Sequence, residues 1–243
     1  ESRIETIKAC VDRMYCILPF EKDFYAKHNY EAYYMGHPLL DEISSFEQKN
    51  NVPLFKKEKP ILSILPGSRE QEIKRKLGLM LEAVSKYHNF DIYVACAPNM
   101  DMHFFNEFKR TYTNVHFVSG KTYELLSETD YAIVTSGTAT LETALFRVPQ
   151  VVCYKSSYIS YFIAKRVVDI KFISLVNLIM NKEIVKELIQ SDVTIDNIQN
   201  EMDLLINNDE YREKVHNGYD ELIKVIGKEG CSKKIAQDLL LEY

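Results

Sequence analysis

Residues 61–69 read Ile-Leu-Ser-Ile-Leu-Pro-Gly-Ser-Arg, an apolar run that stops at Pro66-Gly67 and delivers Ser68 and Arg69 to a new pattern. Ile73, Leu77, Met80 and Val84 follow at helical spacing, so a buried strand turns into a helix here. In an open α/β sheet, ligands collect beyond the carboxyl ends of the strands. The first N–H groups of a helix have no intrahelical partners and carry partial positive charge, which suits a phosphate. Arg69 adds a forked cation for the same anion. Taken alone, the corner is equally an ordinary strand-to-helix turn with a surface arginine.

A second corner runs Tyr131-Ala132-Ile133-Val134-Thr135-Ser136-Gly137-Thr138-Ala139-Thr140-Leu141-Glu142. A strand ends at Thr135, Ser136 or Thr138 can cap the helix that follows, and Gly137 lets a ligand approach the backbone. Glu142, four residues after Thr138, lies one turn inside that helix and can accept from a ribose or sugar hydroxyl. A helix cap with a favourable first-turn acid explains these residues one by one. It does not explain why one sheet should carry two phosphate-friendly corners. A third candidate is Ser174-Leu175-Val176-Asn177, at the end of an expected strand. Asn177 there can bond a base or a diphosphate, or serve as a turn residue.

Other chemistries are not supported. The sequence has no Gly-x-Gly-x-x-Gly dinucleotide fingerprint, no phosphate loop ending in Gly-Lys-Ser/Thr and no Asp-x-Asp for a metal-bridged diphosphate. Its six histidines form no pair at metal-binding spacing, so neither metal nor cofactor is expected. His37, between Gly36 and Pro38, reads as a rigid-turn residue of a kind that can also line a cleft.

With 243 residues, 46% hydrophobic and 27% charged, the chain has the composition of a soluble globular protein of one large or two small domains. A net charge of −5 argues against nucleic-acid binding through bulk electrostatics. The basic runs Lys56-Lys57-Glu58-Lys59, Lys74-Arg75-Lys76 and Lys165-Arg166 read as solvated faces. Five scattered cysteines lack paired spacing, and Cys16, Cys96 and Cys153 fall in apolar runs as core residues would, which suits a reducing cytoplasm. No run is long enough to span a membrane and no signal peptide is present. The sequence begins at Glu1 without Met and enters helix-like sequence at once, so a piece of a longer protein is expected.

The elements that must position these corners follow from periodicity. Residues 1–46 carry a helix over 1–11, a strand over 14–18, a helix over 21–29 and a strand over 32–35, closing at Gly36-His37-Pro38. Residues 47–60 are polar and broken by proline, as a linker would be. Strands are predicted near 61–65, 91–96, 114–118, 131–135, 150–154 and 172–175, and helices near 69–87, 101–112, 121–128, 138–146 and 158–168. Such alternation gives right-handed βαβ units and a parallel sheet covered on both faces. From Lys182 the sequence reads as mostly helical. The stretch 154–168 is aromatic and apolar with cations at both ends, like a helix at a lipid interface, although a core helix between two strands is the simpler account.

In order and spacing, Val11-Asp12-Arg13, Leu18-Pro19-Phe20-Glu21, Gly36-His37-Pro38-Leu39-Leu40-Asp41, Leu65-Pro66-Gly67-Ser68-Arg69, Ser136-Gly137-Thr138-Ala139-Thr140-Leu141-Glu142 and Ser174-Leu175-Val176-Asn177 resemble lipid-A-disaccharide synthase. The likeness covers essentially the whole chain and omits roughly the N-terminal third of the family's length. Val176 departs from it, standing where relatives often have proline.

The resemblance implies an α/β fold of GT-B type: a Rossmann-like parallel sheet with helices on both faces, plus a remnant of the N-terminal domain. Residues 1–46 would be the tail of the acceptor domain and the crossover, 47–226 the nucleotide-sugar domain and 227–243 a C-terminal helix. It implies inverting transfer of 2,3-diacylglucosamine from UDP to 2,3-diacylglucosamine 1-phosphate. Inversion by one displacement needs a base for the acceptor hydroxyl and stabilisation of the departing diphosphate. The resemblance gives Arg69, with the backbone of Gly67 and Ser68, the leaving-group role, and Ser136, Gly137, Thr138 and Thr140 a phosphate cradle. Glu142 and Asn177 become the ribose and uridine contacts. The family's presumed base is a carboxylate in the part not included here, so the fragment is expected to be inactive alone yet to bind UDP weakly. Work in the cytoplasm at the inner face of the cytoplasmic membrane and a homodimer with exchanged C-terminal segments are further implications. A UDP-N-acetylglucosamine 2-epimerase-like enzyme and a non-catalytic interaction domain are the competing readings.

Overall fold

In a computed structural model, residues 2–49, 53, 55, 57–155 and 171–240 are described. The chain divides into two compact units, Glu1–Asn51 with Asp220–Tyr243, and Val52–Tyr219.

The first unit contains the helices α1 (Ser2–Cys10), α2 (Glu21–Lys27) and α3 (Pro38–Lys49). The expected strands shrink to two residues each, β1 (Tyr15–Cys16) and β2 (Tyr33–Tyr34), which pair in parallel. Helix α3 runs into residues that read as linker.

This unit also holds the last helix, Cys231–Leu240, and the binding is specific. The Asp41 carboxylate accepts from the backbone N–H groups of Gly230 and Ser232, capping that helix from a distant part of the chain. Asp238 within it accepts from Arg13 and, at 2.7 Å, from the Tyr15 hydroxyl. Gly36 has φ +115°, and a Cβ there would lie 3.2 Å from both Cys231 Cβ and Lys228 O. His37 is buried, its Nδ1 accepts from Leu39 N–H at 3.2 Å, and burial lowers its pKa. Arg13, Gly36, His37 and Asp41 are thus engaged in holding this unit together.

The second unit is built on a six-stranded, wholly parallel sheet. Its strands are β3 (Ile61–Leu65), β4 (Asp91–Cys96), β5 (Val115–Ser119), β6 (Tyr131–Thr135), β7 (Gln150–Tyr154) and β8 (Lys186–Ile189), in the order β5-β4-β3-β6-β7-β8. All five residues of β3 are buried. Successive side chains of a strand face opposite ways, so burial of Ile61 and Leu65 together with Leu62 and Ile64 means that both faces are covered. On one side Ile61, Leu65, Ala95, Ala132 and Val134 pack with Leu125 and Leu126 of helix α6 (Thr122–Leu126).

Helix α4 (Glu70–Val84) buries Ile73, Leu77, Met80, Leu81 and Val84, the predicted stripe. It also buries Lys76, which corrects the reading of Lys74-Arg75-Lys76 as a solvated run: Lys74 and Arg75 are exposed and Lys76 is not. The expected helix over 101–112 is a short 3₁₀ turn, Met102–Phe105, running into α5 (Asn106–Thr111), and that over 138–146 is α7 (Thr138–Leu145). The stretch proposed for a lipid or core helix at 158–168 lies outside the described residues.

The sixth strand corrects the sequence reading. Residues 172–174 form no strand, and β8 lies in what read as helix. The backbone N–H groups of Ile173 and Ser174 go to the Glu187 carboxylate at 3.0 and 2.9 Å instead of to a ladder, and Ser174 Oγ joins them at 2.6 Å. Ser174 then caps helix α8 (Leu175–Met180). Asn177 is fully buried behind it. Its Oδ1 accepts from Ile184 and Val185 N–H at 2.7 and 3.0 Å, and its Nδ2 donates to Val185 O at 2.8 Å and Glu187 Oε1 at 2.9 Å. Asn177 therefore shapes the turn that feeds β8. Helices α9 (Ile195–Asn207) and α10 (Asp209–Ile226) follow, and α9 packs against α4.

Asn177→Ala strands the amide donors of half-buried Ile184 and buried Val185 and is expected to cost about 2–4 kcal/mol. Urea denaturation measures it, and a loss below roughly 0.5 kcal/mol would contradict this role.

Candidate functional site

The order of the sheet decides where a site can form. From β3 the chain steps outward through β4 to β5, then returns to place β6 on the other side of β3. The register pairs Leu62 with Tyr131 and Leu65 with Val134, so both strands end side by side at the point where the winding reverses. The two corners singled out in the sequence follow these two strand ends, and a cleft of about 490 Å³ opens between them. Leu65, Gly67, Ser68, Arg69 and Glu72 line it from one corner, and Thr135, Ser136, Gly137, Thr138, Ala139 and Glu142 from the other.

At the first corner Gly67 adopts φ +103°, and a Cβ there would lie 3.0 Å from Thr135 Cγ2. A side chain would thus be both strained and crowded. Arg69 is the N-cap of α4, in extended conformation, and its side chain makes no capping bond. Its guanidinium donates to Glu72 Oε1 at 3.0 Å while the side chain stays 79% exposed. A pair this open to water binds weakly, leaving the guanidinium able to turn to an anion.

At the second corner the N-cap of α7 is Gly137, φ +148°, again with no side-chain cap. Capping by Ser136 or Thr138 is therefore not what the structure uses: Ser136 Oγ donates to Ile173 O at 2.7 Å. Thr140 does not line the cleft. It is buried, donates to Gly137 O at 2.8 Å and accepts from Leu175 N–H at 3.3 Å, so it buttresses the Gly137 turn from behind. Asn177 is likewise not among the lining residues; its four side-chain hydrogen bonds go to Ile184, Val185 and Glu187. Gly67, Ser68, Arg69, Ser136, Gly137, Thr138 and Glu142 are brought together.

Glu142 is the titratable group with the most altered surroundings in the cleft. Burial raises the pKa of its carboxyl, and a 3.4 Å bond from the Tyr123 hydroxyl works in the opposite direction. Ala95, Ala97, Pro98, Thr122 and Tyr123 complete the lining and, with Glu72, were not anticipated. Tyr123 sits on α6, with its ring 5.4 Å from that of Phe146. A signal for it was present: Gly120-Lys121-Thr122-Tyr123 is the corner after β5, the same strand-to-helix pattern as the other two. Among the described residues, no three of His, Cys, Asp and Glu gather where they could hold a metal ion, and no helix is long and apolar enough to cross a membrane.

Sheet order, covering helices and a cleft at the switch point make this a doubly wound α/β protein, and its structural neighbours give it the GT-B type of fold. UDP-GlcNAc 2-epimerase from Neisseria meningitidis, solved with UDP-GlcNAc bound, shares the fold with a TM-score of 0.65 at 16% identity, over 94% of this chain and 60% of its own. The calicheamicin glycosyltransferase CalG4 matches with a TM-score of 0.55 at 11% identity, over 97% and 57%. Both are likenesses of fold. The family is fixed by sequence: the family model described as lipid-A-disaccharide synthetase matches residues 1–239, and the chain belongs to that family. Lipid-A-disaccharide synthase of Myxococcus xanthus is 33% identical over 249 residues, covering 98% of this chain, which spans 64% of that relative's length.

A carboxyl with a raised folded-state pKa penalises the fold once ionised. The penalty is absent below the unfolded value, grows as pH rises to the folded value and is constant above it. Glu142→Gln is therefore expected to raise the melting temperature near neutral pH and to lose that advantage below about pH 4. Melting curves of both proteins across pH provide the check, and an advantage independent of pH would contradict it.

Proposed function

We propose that this chain forms the donor-nucleotide half of a lipid-A-disaccharide synthase, holding the UDP of UDP-2,3-diacylglucosamine while the sugar passes to 2,3-diacylglucosamine 1-phosphate. The observation that carries the reading is the convergence of two uncapped helix N-termini, at Arg69 and Gly137, on one cleft. Unpaired N–H groups there await an acceptor, and a diphosphate supplies several. Family membership favours this reading over an epimerase, for which the support is fold likeness at 16% identity.

In this reading, negative charge develops on the β-phosphate as the sugar leaves. The N–H groups beyond Gly67 and Gly137 meet that charge, and Arg69 turns from Glu72 to the phosphate oxygens. Ser68, Ser136 and Thr138 border the same space, and the Glu142 carboxylate accepts from a ribose hydroxyl with Tyr123 orienting it. No metal or cofactor enters the scheme, and the base for the acceptor hydroxyl is not assigned to this chain. Because the donor and acceptor are acylated, we place the reaction in the cytoplasm at the inner face of the cytoplasmic membrane. Exposed Ile17, Phe20 and Phe24 are in keeping with contact there. A homodimer is part of the same proposal and is read by light scattering.

Titration calorimetry of the chain with UDP tests the site. Binding is expected in the wild type and about 10-fold weaker in Arg69→Ala, the loss of one charge-assisted contact of roughly 1.4 kcal/mol. The melting temperature should barely change, since the Arg69–Glu72 pair is exposed. A folded wild type that takes up no UDP would remove the reading.

A further inference from the structure

Among the described residues, Lys76 is the buried cation of the second unit. Its side chain leaves α4 beneath the cleft, with the residue only 1% exposed, and Nζ donates to Thr135 Oγ1. Thr135 ends β6, lines the cleft and passes its own hydroxyl proton to Cys153 O at 3.3 Å. Its methyl group is the atom Gly67 must approach. A single side chain therefore separates the Lys76 nitrogen from the floor of the anion-facing cleft.

An ammonium has three protons to donate and is costly to bury without a counter-charge. Among the described residues, the hydrogen bond that Nζ makes is to a neutral hydroxyl. Glu72, one turn earlier on α4, acts on Lys76 only at a distance, and its carboxylate bonds Arg69. Cys153 on β7 faces it as a thiol that burial pushes up to about 12, so it stays neutral. On α9, the carboxylates of the contacting helix lie elsewhere: Asp196 is exposed, Glu201 bonds Tyr211, and Asp203 bonds Lys86 and Tyr87. Burial accordingly lowers the pKa of Lys76.

We propose that Lys76 is a positioning residue for the phosphate-bearing ligand: it binds a proton as the anion enters the cleft and supplies buried positive charge behind Thr135. The inference rests on the nucleotide reading above and adds to it a proton coupled to binding. By linkage, an anion that favours the charged lysine is itself held more tightly by it.

The test is calorimetric titration of the 243-residue chain with UDP at about pH 8, above the carboxylate range, in two buffers of different ionisation enthalpy. The wild type is expected to take up protons on binding. Lys76→Met should abolish that uptake and weaken UDP about 10-fold, the effect of a unit charge some 10 Å away at an effective dielectric of about 20. Its melting temperature should equal or exceed that of the wild type, because a similar stem fills the space and Thr135 keeps Cys153 O. Unchanged affinity or unchanged uptake in the variant overturns the role of Lys76 while leaving the UDP site standing. Failure of the wild type to bind UDP overturns the nucleotide reading itself. Should the variant not fold, the two-buffer comparison on the wild type decides alone, and no proton uptake overturns the proposal.

Discussion

Parallel pairing of β3 with β6 is the constraint on which the cleft depends. The register brings two strand ends to one edge, so the helices that follow must begin beside each other. The contact is close. Only a residue without a Cβ passes Thr135 at position 67, where an added carbon would sit 3.0 Å from its methyl group. Outward steps through β4 and β5 on one side, and β7 and β8 on the other, leave this junction as the place where neighbouring helices part and a ligand can enter.

Behind the lining lies a layer of polar side chains, Thr140, Ser174 and Asn177 fully buried and Glu187 half-buried, that sets the shape of the second corner. Glu187 gathers Ile173, Ser174 and Asn177. The helix that Ser174 caps passes Leu175 N–H to Thr140, and Thr140 in turn grips Gly137 O. Ser136 closes the circuit through Ile173 O. In a low-dielectric interior every member of such a network must be satisfied, and that requirement fixes the backbone in front of it. Thr140 and Asn177 act on the cleft through this network rather than by lining it.

Much of this was legible from periodicity. The apolar runs at 61–65, 91–96, 131–135 and 150–154 could only be buried strands, and the breaks after them located both corners. What escaped did so for physical reasons. Lys186-Glu187-Leu188-Ile189 is an edge strand with charged residues in it, so its pattern lacks the apolar run of a central strand. Phe172-Ile173-Ser174 has strand-like composition, yet its amides are taken by a side chain thirteen or more residues away, a partnership that no local window contains. Lys76 sat in a basic run whose neighbours are solvated, and only helix phase separates it from them. Tyr123 reaches the cleft from a third corner, which requires the sheet order to be known. Arg13, Gly36 and Asp41 carried the family resemblance as strongly as the cleft residues did, and the structure uses them as fasteners.

Those fasteners have a consequence for biosynthesis. The first unit is discontinuous: Asp41 waits for the amides of Gly230 and Ser232, and Arg13 and Tyr15 wait for Asp238, roughly two hundred residues later. The second unit is continuous from Val52 to Tyr219 and needs nothing beyond itself to close its sheet. On a ribosome delivering about 5–20 residues per second, the bonds from Asp41 to the last helix close on the order of ten seconds or more after Asp41 is made. The discontinuous unit therefore gains its last helix only after the whole of the continuous one has been synthesised.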